Sequence, residues 1–384
     1  MRYILYFLVL IAFTACDKKS GTSNDSSGSY SLVKVDSFQV NNMTRVQITD
    51  FSERENIYLA YSEAENDILE ISPKGEILKR VNRRGDGPNN MGNWTPLGLS
   101  FGPNGERVFQ LPFQLLTYDK DYNQTSNLRI QSPLPVRANL PLGKTHYFLE
   151  NDQPRYLVGP TIFLSAHLLI YNEEGRDTLR NFSLLYPESG QMKSIIPYEP
   201  DSYYKKTDNI YYNLMGKSFF VEGDELIVLQ NLADAILVYD LKDNFQLKKT
   251  IPIAHSNFEQ YSPLPIGTPM DDSRMKELTF MAGRNEKIIS LDDQVWLLSY
   301  YQGLSPALFE SRNSEENPFS ISKARDKLRL LVFENGKQVD GELNPPNGRL
   351  FFGLKGNRIL VQDEPSEKVE EEFTRYSIYE LRKE

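Results

Sequence analysis

From Leu32 onward the apolar positions fall in short runs broken by Asp, Asn, Gly and Pro, with no sustained helical period. That pattern predicts strands and turns. The clearest unit is "NIYLAYSEAENDILEISPKGEILKRV", Asn56 to Val81. It contains an apolar run, a charged turn, a second run, a Gly-containing turn and a third run. Similar units span Arg107 to Ile130, Glu225 to Ile251, Val295 through Lys327 to Val339, and Arg358 to Leu381, with a weaker one from Thr161 to Leu185. Each predicts three strands. Their first runs begin near residues 57, 108, 162, 226, 295 and 358, a loose period of roughly 50 to 70 residues. Helix-rich spacers also occur, such as "DDSRMKELTFMAG". There Asp272 is the expected N-cap, Met275, Leu278, Thr279 and Ala282 share a face, and Gly283 lies near the end.

Runs such as Leu226 to Leu229 are apolar on both faces. Such a strand needs cover on both sides, and sheets arranged around a central axis cover their inner strands in this way while leaving few exposed edges. The fold class expected is therefore all-β, with residues 32–384 forming a single β-propeller with short helical insertions. Six repeats favour six blades, with seven as the alternative. Ring closure is expected to pair Ser31 to Val40 with the last strand, near Tyr376 to Leu381.

The N-terminus follows different rules. Arg2 precedes an unbroken apolar run from Tyr3 to Phe13. That run is too short for a bilayer-spanning helix, which needs about 20 residues, and it suits the apolar region of a secretory signal. Thr14-Ala15-Cys16 follows, and small residues directly before a cysteine resemble a bacterial lipobox. The resemblance implies a signal peptide over residues 1–15, cleavage after Ala15 and lipidation of Cys16. Each buried CH₂ of an acyl chain adds about 0.8 kcal/mol of membrane affinity. Residues 16–31, rich in Ser and Gly, are expected to form a flexible tether. Asp17-Lys18-Lys19-Ser20 lacks the acidic run of some surface-exported lipoproteins. The expected location is thus the outer membrane facing the periplasm, with surface exposure as the alternative.

Composition narrows the chemistry. The chain has 384 residues and a net charge of -9, which argues against nucleic acid as a partner. Cys16 is its one cysteine, so a lipidated chain has no disulfide, thiolate zinc site or cysteine nucleophile. His146, His167 and His255 lack metal-ligand spacing. Asp119 to Asn123 begins like a calcium loop, but Gln124 and Ile130 occupy the places that need Gly and Glu. Neither a metal nor a cofactor is expected. The tyrosine pairs Tyr203-Tyr204, Tyr211-Tyr212 and Tyr300-Tyr301 are expected to place one ring inside and one outside, because strand side chains alternate.

One turn-rich stretch stands apart: "KRVNRRGDGPNNMGNW", Lys79 to Trp94. Gly85, Gly87 and Pro88 predict a blade-to-blade turn. Lys79, Arg80, Arg83 and Arg84 predict a local basic patch that would hold an anionic group or pair with nearby carboxylates. No Gly-Lys-Ser/Thr follows, so this is not a nucleotide loop. The turn resembles the Gly-x-Gly-Pro-Gly-Glu turn of NHL-like propellers, with Asn89 and Asn90 in place of the last Gly and Glu. With the lipobox and tether, the chain resembles the six-bladed propeller lipoproteins of Bacteroidota, a family with no assigned activity. The absence of catalytic motifs and of a thiol in the lipidated chain favours a membrane-anchored envelope protein with a binding or scaffold propeller, its ligand unassigned between protein and glycan. The alternative is an envelope hydrolase using two Asp or Glu carboxylates at one mouth of the ring.

Overall fold

The computed structural model describes residues 29–130, 142–158, 180–200, 202, 209–210, 216–262, 264–265, 268–269, 271–292, 294–366 and 371–384. Cys16, the leader, most of the tether, His167, Tyr203-Tyr204 and Tyr211-Tyr212 lie outside these residues. The described strands form six antiparallel four-stranded sheets, and the fold is a six-bladed β-propeller. The N-terminal strand β1 (Tyr30–Asn41) is set aside for the last blade. Blade I is β2 (Val46–Ser52), β3 (Ile57–Ser62), β4 (Asp67–Ile71) and β5 (Ile77–Asn82). Blade II is β6 (Gly98–Phe101), β7 (Arg107–Gln110), β8 (Gln114–Tyr118) and β9 (Gln124–Arg129). Blade III is β10 (His146–Glu150), β11 (Gln153–Val158), β12 (Arg180–Tyr186) and β13 (Gln191–Pro197). The short strand β14 (Asn209–Ile210) precedes blade IV, which is β15 (Lys217–Glu222), β16 (Glu225–Gln230), β17 (Ala235–Asp240) and β18 (Leu247–Pro252). β19 (Leu264–Pro265) pairs back with β14. Blade V is β20 (Arg284–Ser290), β21 (Val295–Tyr301), β22 (Leu328–Glu334) and β23 (Lys337–Gln338). Blade VI is β24 (Arg349–Leu354), β25 (Arg358–Gln362), β26 (Phe373–Lys383) and, as its outermost strand, β1.

The ring closes between the two segments expected to pair. β1 pairs antiparallel with β26, with Leu32 opposite Leu381, Phe38 opposite Tyr376 and Val40 opposite Thr374. Aromatic stacking reinforces the seam: Phe38 lies 5.4 Å from Tyr58 and 5.2 Å from Tyr376. The Tyr376 hydroxyl donates to the Val46 carbonyl at 2.6 Å, and Val46 N donates to Thr374 Oγ1 at 3.0 Å. The first and last blades are therefore joined by backbone pairing, apolar contact and buried hydrogen bonds together.

The expected three-strand unit is corrected to four. Five of the predicted units start at a second strand: β3, β7, β16, β21 and β25. These strands lie between neighbouring blades and are buried along nearly their whole length. The missed member is the innermost strand, whose residues mix polar and apolar types because it lines the axis. The weaker unit is also corrected: the second strand of blade III is β11, which ends before Thr161. Tyr300 and Tyr301 are both fully buried, contrary to the one-in, one-out expectation. Tyr300 faces the core between blades IV and V. Tyr301 faces the insertions that cover blade V, among Met281, Leu304 and Phe319.

Those insertions include the expected helix in shortened form. Asp272 caps α1 (Ser273–Lys276) by accepting from Arg274 N at 2.9 Å. The chain then widens into a π-helical turn, Glu277–Met281. There Thr279 Oγ1 bonds back to the Met275 carbonyl at 2.7 Å and Arg284 takes the Thr279 carbonyl at 2.8 Å, side-chain competition that bends a helix. Gly283 N leaves the helix to bond the Glu259 carbonyl. A second helix, α2 (Pro306–Arg312), covers the same region.

Strand direction divides the connections between two faces. Inner strands run from one face to the other, so the links between blades and the second-to-third strand loops share a face. It carries 83–97, 253–283 and 302–327. The opposite face carries tight turns, of which the longest is 241–246. The first described residue and the last lie together on this tight-turn face, where Glu384 N donates to the Ser29 carbonyl at 2.7 Å.

Candidate functional site

The innermost strands enclose a central cavity of about 850 Å³. That volume lies in the range of small-molecule sites, roughly 300–1,000 Å³. Three of these strands carry register shifts where they line it. The shifts fall between Ile48 and Asp50 in β2, Asn285 and Lys287 in β20, and Leu350 and Gly353 in β24. A bulge re-aims the side chain beside it, and here the re-aimed positions include Asp50, Lys287 and Phe351. β6 differs from most inner strands, being buried throughout. The segment at 142–144 lies alongside it, with Gly143 bridging Gly98 in parallel. Gln47 Nε2 holds this segment through the Leu142 carbonyl at 2.7 Å.

The cavity is cationic and aromatic. Lys144, Lys217, Lys287 and Arg349 line it, against the acids Asp50 and Glu53. Both acids are already engaged. Asp50 meets Lys144 Nζ at 2.7 Å and accepts the backbone N–H groups of Phe51 and Phe101 at 2.9 Å. Glu53 meets Lys355 Nζ at 2.5 Å on the tight-turn side. The cations are differently placed. Lys217 Nζ lies 3.1 Å from the Tyr198 hydroxyl and sits over the Phe182 and Tyr198 rings at 5.2 and 5.0 Å. Lys287 Nζ donates to the Leu350 carbonyl at 3.0 Å. Lys287 and Arg349 flank the same ring, Phe351, at 5.8 and 5.2 Å.

Desolvation dominates their titration. Burial pushes the Lys217 ammonium down to about 7. Burial and then repulsion from Arg349 push Lys287 down to about 7 as well. Burial also lowers Arg349, with Arg45 adding repulsion. His146 packs 4.8 Å from Phe219 and is driven to about 3 by burial, then by Lys144 and Lys287, so it is neutral at ordinary pH. Shifts of this size, gathered in a cleft, mark a functional-site candidate.

The Lys79–Trp94 stretch has a structural role. Gly85 (φ 103°) bridges Gly92, with its N–H 2.9 Å from the Gly92 carbonyl. Gly87 (φ 146°) starts a turn closed by Asn90 N onto the Gly87 carbonyl at 3.1 Å, with Pro88 inside it. The turn drives Met91 into the core between blades I and II. The four basic residues do not converge. Lys79 and Arg80 are neighbours on β5 and point to opposite faces. Arg80 bonds Asp67 at 2.7 Å, Glu65 at 3.1 Å and Asn42 at 2.6 Å. Lys79 Nζ donates to the Lys120 carbonyl, and Arg83 to the Tyr122 carbonyl, both at 2.7 Å. Arg84 alone projects into solvent as an exposed cation. The expected patch is thus divided between carboxylate pairing, at Arg80 and at Lys79 (3.6 Å from Asp121), and carbonyl bonding at Lys79 and Arg83.

The cavity cations were missed because each stands alone in sequence, separated from the next by tens of residues. The one sequence signal was negative: a basic residue in an otherwise apolar strand, as in "KSFFV" and "KIIS". Elsewhere, Asp119 Oδ1 accepts the N–H groups of Asp121 and Asn123 at 2.8 and 2.9 Å, which makes it the pivot of the β8–β9 hairpin. His255 bonds Asn285 at 2.8 Å and packs on Tyr300. Among the described residues, no group of three or more His, Cys, Asp or Glu is placed to hold a metal, and no helix is long and apolar enough to cross a membrane.

Comparison with solved structures finds similarity over nearly the whole chain. A candidate exported protein from Bacteroides fragilis NCTC 9343 superposes with a TM-score of 0.50 at 10% identity, covering 95% of this chain and 98% of that one. A gluconolactonase from Xanthomonas campestris matches with a TM-score of 0.45 at 9% identity, covering 92% and 90%. The PQQ-bound aldose sugar dehydrogenase from Streptomyces coelicolor gives 0.45 at 10%, covering 92% and 99%. No protein-family model matches the chain, and no curated protein matches it in sequence.

Proposed function

We propose that this chain is a lipid-anchored envelope protein whose propeller binds a ligand in its central cavity and does not hydrolyse it. The observation that carries the binding reading is the charge balance of the cavity. Its two acids are bonded to lysines, whereas Lys287 and Arg349 have no carboxylate partner among the described residues. A glycosidase needs one carboxyl free to donate a proton and a second free to act as nucleophile or base. Asp50, fixed by an ammonium and two backbone N–H groups, is built as a strut. The hydrolase alternative therefore has less support.

The placement of the first described residue supports the anchor. Ser29 leaves the tight-turn face, so a tether running back to Cys16 would leave the insertion-bearing face pointing away from the membrane. The fold shared with the exported Bacteroides fragilis protein is consistent with an envelope location. The test is fractionation of cells carrying the chain or its Cys16→Ser variant. The wild-type chain should partition with membranes and label with a palmitate analogue. The variant should lose the label. An unlabelled, soluble wild-type product would contradict the anchor.

A further inference from the structure

Two cations stand side by side in the cavity with little to neutralise them. Arg349 opens β24 and Lys287 follows the bulge of β20, the neighbouring inner strand. Arg349 makes no hydrogen bond or ion pair among the described residues, and Lys287 bonds only the carbonyl of Leu350, next to Arg349. Both flank the Phe351 ring. Arg349 is exposed to the cavity and Lys287 is half-buried in it. Like charges held together disfavour the folded state, and among the described residues no carboxylate offsets this pair. An anion between them would. The planar guanidinium suits bidentate contact with a carboxylate or phosphate, and the ammonium supplies a second charge. Phe51, Phe219 and Phe352, all partly exposed, supply apolar wall in the same cavity.

Resting on the reading of the cavity as a ligand site, we propose that it takes a sugar-sized organic anion. The acidic group, a carboxylate or a phosphate, lies between Lys287 and Arg349. The body of the ligand lies against the cavity's phenylalanines.

Affinity for such an anion should depend on pH through Lys287. The charged and titratable groups facing it are Arg349 on β24, Lys217 on β15, His146 on β10, Lys144 beside β6, and Asp50 and Glu53 at β2. Arg349 remains charged, His146 remains neutral, and the acids remain paired. Lys217 titrates in the same range as Lys287, so both lose their charge, and anions lose affinity, as pH rises through about 7.

The experiment is calorimetric titration of the full chain, purified in detergent, with glucuronate, glucose 6-phosphate, inorganic phosphate and glucose. The expected result is binding of an acid-bearing sugar at least about tenfold tighter than glucose, weakened at least about tenfold by Arg349→Gln or Lys287→Gln. Whether glucuronate or glucose 6-phosphate binds tighter distinguishes a carboxylate ligand from a phosphate one. Arg84→Gln should leave binding unchanged. Circular dichroism melts of each variant separate lost binding from lost folding. Glucose binding as tightly as the acids would overturn the anionic assignment while leaving the cavity a ligand site. Inorganic phosphate binding as tightly as glucose 6-phosphate, with glucuronate silent, would overturn the sugar-sized body. In a parallel incubation, hydrolysis of p-nitrophenyl glucuronide would overturn the binding reading itself. Silence from all four probes at about 10 mM overturns the proposal.

Discussion

The second strand of each blade and the innermost strand beside it obey different physics. Leu59 on β3, Leu297 on β21 and Leu360 on β25 are fully buried, sealed between blades on both faces. Lys217 on β15, Lys287 on β20 and Arg349 on β24 instead face the axis. A strand packed on both sides favours apolar residues and admits a charge only with partners, as Arg107 on β7 is held by Glu55 and Glu70, so its composition is dictated by the fold. A strand lining a cavity is released from that demand on one face, so its composition is free to serve a ligand. The contrast teaches that stability and function are separated radially in this ring, one layer apart.

The largest expected effect comes from removing the strand that closes the ring. Deleting residues 30–41 exposes β26 and removes Phe38 from its stack on Tyr58 and Tyr376. The truncated chain should lose its cooperative thermal transition, followed by circular dichroism. A transition at the wild-type temperature would mean that closure contributes little. Next comes truncation within the second strands. Leu297→Ala or Leu360→Ala should each cost about 2–5 kcal/mol in denaturant unfolding. The same assay on Lys287→Met should show no loss, and an equal loss there would erase the radial contrast.

Smaller effects test the links between blades. Gly87 has a φ of 146° and a Cβ built on it would meet Asn90 Nδ2 at 3.2 Å. Gly87→Val should therefore cost about 1–3 kcal/mol. The smallest effect is at Arg84, an exposed side chain, where Arg84→Glu should change unfolding by roughly 0–1 kcal/mol. Arg83→Glu should cost more, because Arg83 is partly buried and holds the Tyr122 carbonyl at 2.7 Å.

The same radial contrast decides what was legible in the sequence. Second strands announce themselves as unbroken apolar runs, so the propeller, its ring closure and five of the repeat positions could be read directly. Innermost strands alternate less cleanly and carry bulges at Asp50, Lys287 and Phe351, which break the period that marks a strand. The cavity cations were illegible for a further reason. Lys217, Lys287 and Arg349 are brought together only by the curvature of the ring, and nothing local in "KSFFV" or "KIIS" reports the axis. At the basic cluster Lys79 to Arg84 the carboxylate-pairing alternative is the one seen, at Arg80 and Lys79. Adjacency in sequence suggested adjacency in space, but strand alternation and local bonding sent the four side chains apart.

The inner layer keeps half-buried, desolvated cations at a cost to the fold, and melting as a function of pH reads that cost. Lys217 and Lys287 are lowered to about 7 in the folded chain, whereas an unfolded lysine titrates near 10.4. Below the folded value both states are protonated and the full penalty is present. Between about 7 and about 10 the unfolded chain binds more protons, so the penalty is progressively relieved and stability rises with pH. The Lys217→Met, Lys287→Met double variant lacks the penalty at every pH. The wild-type chain should therefore melt below the variant near pH 6 and close the gap as pH approaches about 10. Two melting curves that run parallel across this range would contradict the account.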